Sequence, residues 1–257
     1  AVSGLKSFLG MVEALEPGDK VSRFTIIRLV HHGAKSPGSR SPTLVYEAVS
    51  GTGDKVALKR VPKGPSAERE KEALITLKKD PTSGAFDHSL SHVVSLIDCF
   101  DDEGAAKDSD SHSDGSSDSP QLPADSTWLV LELGLYGLDG WLRKKHYAPS
   151  WGDTLDVGHA LGSALAFIHA HGLVCGDVKP ANVMKFPAGW KLIDMGAAGR
   201  AGDPVTEFTS SYCAPELARA FLQGKGARAS SDADVWAYGK IMYEMACGSA
   251  AALIDEG

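Results

Sequence analysis

Residues 171–196, HGLVCGDVKPANVMKFPAGWKLIDMG, hold a carboxylate, a cation and an amide at the spacing D-x-K-x-x-N: Asp177, Lys179 and Asn182. A second carboxylate, Asp194, follows a short apolar stretch and precedes Gly196 by two positions. Groups of these types suit transfer of a phosphoryl group from Mg-ATP, where positioning and charge stabilisation do most of the catalytic work. In that chemistry Asp177 accepts or orients the proton of an attacking hydroxyl, and Lys179 offsets charge on the migrating group. Asn182 and Asp194 offer oxygens to Mg2+, a hard cation that needs few protein ligands beside phosphate. An isolated D-x-K-P-x-N also makes a polar turn, with Pro180 and Asn182 as ordinary turn residues. Asp194-Met195-Gly196 downstream favours the chemical reading.

Elements able to hold such groups are legible around them. Residues 24–61 carry β-branched and aliphatic runs broken by turn residues, which predicts strands. One run, VALKRV at 56–61, is interrupted by Lys59; another, LVYEAV, occupies 44–49. Residues 66–80, SAEREKEALITLKKD, read as a helix with Ser66 as its cap, acidic residues early and lysines in the last turn. Ala73, Leu74 and Leu77 form its inward stripe, and Glu70 shares that face. WLVLELGLYGLDGWLRKKH reads as a buried strand, a linker and a helix start. Residues 153–172 predict a helix, with Leu155, Ala160, Leu161, Ala164, Leu165 and Ile168 recurring at helical spacing. His169 and His171 fall at its end and read as helix-end residues, not metal ligands.

In this order the segments resemble the catalytic domain of eukaryotic serine/threonine protein kinases. VALKRV resembles the strand whose lysine, here Lys59, holds the ATP phosphates. SYCAPEL at 211–217 resembles the A-P-E motif that closes the activation segment. DADVWAYGKIMYEM at 232–245 resembles the long buried helix of the large lobe, with Asp234, Trp236 and Gly239 as its signature. The resemblance covers about residues 24–248 and implies an α+β, two-lobed fold: a small antiparallel β lobe with one helix, and a larger, mostly helical lobe. It implies a single kinase domain over 1–257, with an N-lobe at 20–133 and a C-lobe at 134–257 that is truncated after the long helix. It further implies that Leu131 lines the adenine pocket, that Glu132 and Leu133 begin the hinge, and that Glu70 or Glu72 pairs with Lys59. ATP, Mg2+ and a protein substrate bearing Ser or Thr follow as expected partners. Lys179 and Thr209 match serine/threonine kinases rather than tyrosine kinases. DMGAAGR faintly resembles the D-L-G-A-A segment of algal and plant thylakoid state-transition kinases, which makes the chloroplast an alternative to a cytoplasmic location.

Composition agrees with a globular chain: 257 residues, 43 % hydrophobic and 23 % charged. No run approaches the roughly 20 apolar residues that cross a bilayer. KSFLGMVEALEPG near the start has a short apolar stretch interrupted by Glu13 and lacks signal-peptide form. The chain begins without Met and is expected to be a fragment. Cys99, Cys175, Cys213 and Cys247 stand far apart and read as free thiols of a reducing compartment. The formal charge of −7 is local. Residues 101–126 carry eight acidic residues against one lysine, leaving 25 of each sign elsewhere. Nucleic acid is therefore not an expected partner. That Ser-, Asp- and Gly-rich insert is expected to be a disordered, tolerated loop, with a phosphorylation tract as the sharper alternative.

Departures from the family pattern shape the expectation too. Cys175-Gly176 stands where most kinases carry His-Arg, so the arginine that clamps a phosphorylated activation loop is missing. Phosphorylation of Thr206 or Thr209 is accordingly not expected to switch activity through that clamp. Met195 replaces the usual Phe. The nucleotide-covering loop, HHGAKSPGSRSPT, has Gly33 and Gly38 but no G-x-G-x-x-G, which predicts modest nucleotide affinity. Two other functions compete: a pseudokinase scaffold, and a small-molecule phosphotransferase whose H-G-D-x-x-x-x-N loop CGDVKPAN resembles. The A-P-E and D-V-W segments weigh against the second.

Overall fold

The computed structural model describes residues 14–33, 42–78, 92–102, 126–144, 149–205 and 208–247. Six strands form one antiparallel sheet in the order β1-β2-β3-β4-β6-β5: β1 (Lys20–Val21), β2 (Phe24–His32), β3 (Leu44–Ser50), β4 (Lys55–Pro62), β5 (Leu96–Asp101) and β6 (Ser126–Glu132). Helix α1 (Pro65–Lys78) follows β4. The remaining elements are β7 (Tyr136–Gly137), α2 (Leu138–Lys144), α3 (Trp151–Ala170), β8 (Leu173–Val174), β9 (Val183–Phe186), β10 (Gly189–Leu192), β11 (Gly199–Arg200), α4 (Pro215–Leu222) and α5 (Ser231–Cys247). The architecture is the α+β arrangement expected from the sequence.

The chain divides into two compact units, residues 1–67 with 96–133, and residues 68–95 with 134–257. Most of α1 and residues 92–95 group with the second unit. Backbone bonds explain part of this: Leu192 N donates to His92 O at 2.8 Å and Val94 N to Leu192 O at 2.9 Å.

In the first unit the strands alternate sides with period two. Leu44, Tyr46, Ala48, Val56, Leu58, Trp128 and Val130 face one way and pack with Leu15, Val21, Phe24 and Ile26 into a core. Trp128 stacks on Phe100 at 6.3 Å, and the Leu15 amide donates to the Tyr46 hydroxyl at 3.2 Å. Arg60 lies in the same layer, 1 % exposed, with its guanidinium 6.0 Å above the Trp128 ring. Burial lowers the pKa of Arg60, and the nearby Asp102 carboxylate opposes that shift. Most of the acidic insert, residues 103–125, lies outside the described residues, but its two ends are fixed. Asp102 N donates to Ser126 O at 3.0 Å, and Thr127 Oγ1 and Trp128 Nε1 donate to the carboxylates of Asp101 and Asp102. A long insertion on such a stem costs little, because closure entropy grows only slowly with loop length.

The second unit is built on α3, whose Val157, Ala160, Leu161, Ala164, Leu165 and Ile168 are buried. Leu155 was expected in that stripe but is 55 % exposed, since its position on the turn falls outside the buried face. The helix starts two residues before the expected Asp153. Ser150 caps it, accepting from Asp153 N while the Asp153 carboxylate accepts from Ser150 N, a complete capping box. Ser66 was likewise expected to cap α1, yet the helix already includes Pro65, whose fixed φ suits the first helical position and whose missing N–H costs nothing there. Helix α5 buries Asp234, Ala237, Ile241 and Met245, one face at helical spacing. Trp236 at 49 % and Val235 at 56 % exposure lie on its other face.

Glu47 on β3 is 6 % exposed and accepts from Lys55 Nζ at 3.0 Å and Arg28 Nε at 2.8 Å. Lys55, then Arg28, hold its pKa below the ordinary 4.5. A depressed carboxylate stabilises the fold above the unfolded pKa, and the contribution fades as pH falls through the lowered folded value. Both cations are 63 % exposed, so the contribution is at most about 1 kcal/mol. Glu47→Gln is expected to flatten the loss of stability on acidification below pH 4.5, read as urea midpoints across that range. An unchanged pH profile would contradict this account of Glu47.

Candidate active site

The first unit carries the residues expected at the nucleotide. Lys59 sits mid-sheet on β4, opposite Val45 of β3 and Leu129 of β6. Alternation turns it away from Leu58 and the core, onto the face shared by Ala57, Leu129 and Leu131. It is 9 % exposed and Leu131 is 7 % exposed, so a cation is held in an apolar floor. Glu132 ends β6 and Leu133 follows it, both half-buried. Gly33 closes the end of β2 by donating to Thr43 O at 2.8 Å. Gly38 lies outside the described residues.

The second unit brings Asp177, Lys179 and Asn182 together. Val178 is buried while Asp177 and Lys179 stay half-exposed, so the loop is anchored by its apolar residue and offers its charged ones. Lys179 Nζ is 2.6 Å from Asp177 Oδ2. Thr209 Oγ1 donates to Asp177 Oδ1 at 2.7 Å and accepts from Lys179 Nζ at 3.0 Å. One hydroxyl thus satisfies both charges and links them to the segment ahead of α4. Pro180 then opens a single helical turn, Pro180–Asn182, that delivers Asn182.

Asn182 and Asp194 are the residues that could hold Mg2+. Strands β9 and β10 form a hairpin in which Val183 faces Leu192, and Ile193 N donates to Asn182 O at 2.8 Å. Asn182 therefore precedes one strand just where Asp194 follows the other. The Asn182 amide nitrogen donates to Asp177 O at 2.8 Å, which turns its carbonyl oxygen away from that bond. Asp194 adopts a left-handed backbone, φ 69°, uncommon for a non-glycine residue, and accepts from Gly196 N at 3.1 Å. One amide oxygen and one carboxylate on a rigid hairpin match what Mg2+ takes from protein when phosphate and water supply the rest. Among the described residues no group of three or more His, Cys, Asp or Glu could hold a metal ion by itself.

The two residues before Asp177 are fixed from below. Asp234, 2 % exposed near the start of α5, accepts from Cys175 N at 2.8 Å, from Gly176 N at 2.9 Å and from His169 Nε2 at 2.8 Å. Burial, and then the Asp234 charge, push the Cys175 thiol well above 9.0, so it stays protonated and is no nucleophile. Gly176 has φ 80°, and a Cβ there would lie 2.7 Å from Ala197 O. The backbone at the position of the family's arginine thus excludes side chains as it stands.

The two candidate carboxylates of α1 differ in burial. Glu70 is 2 % exposed on the α1 face that buries Ala73, Leu74 and Leu77, whereas Glu72 is exposed. Sequence reading found Asp234 as a family signature but missed the role of His169, whose partner is 65 positions away. No local pattern signals such a pairing. Thr206 lies outside the described residues.

Comparison with known proteins agrees with this geometry. The protein kinase domain model matches residues 37–254. The mouse dual specificity protein kinase TTK is 32 % identical over 133 residues, covering 47 % of this chain and 15 % of that protein. Mitogen-activated protein kinase kinase kinase 17 of Arabidopsis thaliana is 42 % identical over 90 residues, 33 % of this chain and 22 % of its own length. The serine/threonine-protein kinase PknA of Mycobacterium tuberculosis is 40 % identical over 103 residues, 37 % and 22 % respectively. With the model spanning most of its length, this chain belongs to the protein kinase domain family. The matched segments span less than a quarter of these three relatives.

Gly176→Ala forces a side chain into a left-handed backbone facing a carbonyl 2.7 Å away. It is expected to cost about 1–3 kcal/mol in urea unfolding. A neutral or stabilising effect would show that the backbone at 176 is not constrained.

Proposed function

We propose that this chain is a serine/threonine protein kinase domain that transfers the ATP γ-phosphate to protein hydroxyls. The observation that carries the reading is the Asp177–Lys179–Thr209 triangle, in which a hydroxyl-bearing residue already occupies both charged groups. Asp177 orients the substrate Ser or Thr hydroxyl and receives its proton as the oxygen attacks phosphorus. Lys179 sits beside that carboxylate and offsets charge on the migrating group. Lys59 takes phosphate charge, and the backbone of Glu132 and Leu133 pairs with adenine above Leu131. Glu70 is assigned the carboxylate role that the family gives this helix, supported by its burial. Asn182 and Asp194 would hold Mg2+, which would neutralise phosphate charge. Four free cysteines support a reducing intracellular compartment, cytoplasm first and chloroplast second. The pseudokinase alternative draws on the missing glycine pattern between Gly33 and Thr43 and on Cys175-Gly176 ahead of Asp177.

The test is transfer from Mg-ATP to generic Ser/Thr-containing proteins beside Asp177→Asn, with phosphoamino-acid analysis of the product. Loss of the base should lower kcat by about 10²–10⁴-fold, with phosphoserine or phosphothreonine as product. Equal transfer by wild type and Asp177→Asn would remove Asp177 from the mechanism. No transfer by a folded wild type would leave the scaffold reading standing.

A further inference from the structure

A bulge near the end of β2 changes the side on which one histidine falls. Leu29 stands opposite Tyr46 of β3 and packs against the core of the first unit. Two positions on, strict alternation would return His31 to that same side, opposite Leu44. It does not land there. The register of β2 against β3 shifts between Leu29 and His31, so Val30 is taken up as an extra residue and His31 falls opposite Val45. Such a bulge turns the following side chain to the other face of the sheet.

Directly opposed residues of antiparallel strands share a face. Val45 is opposite Lys59 on β4, and Lys59 is opposite Leu129 on β6. His31, Val45, Lys59 and Leu129 therefore form one row across four strands, on the face turned away from Tyr46 and Leu58. With strands spaced about 4.8 Å apart, His31 stands roughly 10 Å from Lys59 along that row. A lysine and an imidazole at that spacing can close on a phosphate chain from two sides. His31 is exposed, and a Cβ on Gly33 would lie 3.6 Å from its Nε2, so the ring tip leans toward the end of the strand. No carboxylate belongs to the row. Glu47, the neighbour of Val45 on the same face of β3, is taken by Arg28 and Lys55. His32 falls opposite Leu44, on the core side. The two adjacent histidines thus face opposite ways.

We propose that His31 is a phosphate-binding residue for the nucleotide, acting with Lys59 from one face of the sheet. A glycine-patterned loop would offer backbone N–H groups to the phosphates. Here the bulge at Val30 brings an imidazole N–H to that face, and either neutral tautomer carries one such donor. The di- or triphosphate of the nucleotide is the part recognised, not its base or ribose. The assignment rests on the kinase reading of Lys59 as the lysine that takes phosphate charge.

The test is calorimetric titration of the chain with ATP, ADP and adenosine, each with Mg2+, for wild type, His31→Ala, His31→Gln and His32→Ala, beside the phosphate-transfer assay. Loss of a hydrogen bond to a charged group should raise Kd for ATP and ADP about tenfold in His31→Ala. Gln keeps an N–H donor and should recover part of that loss. Adenosine should bind all four proteins alike, and His32→Ala should bind ATP as wild type does. Unchanged or tighter ATP binding by His31→Ala, an equal loss for adenosine, or an equal loss in His32→Ala overturns the proposal. If wild type nonetheless transfers phosphate, the kinase reading survives that result. ATP binding that depends on His31 without any transfer upholds the proposal and removes the kinase reading. A folded wild type that binds none of the three ligands overturns both.

Discussion

A carboxylate buried to 2 % exposure needs its oxygens satisfied from within the protein, and Asp234 receives three donors from two other parts of the chain. Two are the backbone amides of Cys175 and Gly176, immediately before Asp177. The third is the His169 ring near the end of α3. Because a buried carboxylate left short of donors costs several kcal/mol, the loop before Asp177, helix α3 and helix α5 have one low-energy arrangement relative to that side chain. The loop that carries Asp177 inherits its position from that requirement.

From this anchor the rest of the site follows by short steps. Asp177 comes one residue after Gly176, and Val178 buries itself to hold the loop down. Lys179 and Thr209 complete the charge triangle, and the turn at Pro180–Asn182 hands the chain to the β9–β10 hairpin. That hairpin returns Asp194 to the neighbourhood of Asn182 with no long-range search by the chain. Backbone pairing, helped by the Asp203 carboxylate and the Arg228 guanidinium, then carries the chain from Arg200 to Val205.

Much of this was legible in the sequence because it is local. The D-x-K-x-x-N spacing, the alternating VALKRV run and the S-x-x-D start of α3 are written within a few residues, although the last was passed over in favour of Asp153. Lys59 is buried on a strand as its apolar flanks implied, and Glu70 shares a face with Ala73, Leu74 and Leu77. What failed was geometry decided at a distance. Leu155 fits a helical repeat, yet whether it is covered depends on neighbours that periodicity cannot name. Ser66 is a good cap by type, but Pro65 starts the helix first. His169 and Asp234 are 65 residues apart, and the carbonyl that a side chain at 176 would meet belongs to Ala197, which spacing does not reveal. None of these leaves a local mark.

The central claim is that Asp234 positions the loop that carries Asp177, and the direct measurement is kcat and KM of Asp234→Ala and Asp234→Asn in protein whose fold is verified by near-ultraviolet circular dichroism. Asn keeps the shape and one acceptor, so it guards against a variant that merely fails to fold. The account predicts that kcat falls by about 10²-fold or more in the Ala variant and less in Asn, with KM for ATP little changed, because a displaced loop misplaces Asp177. Wild-type kcat in a folded Asp234→Ala would contradict it.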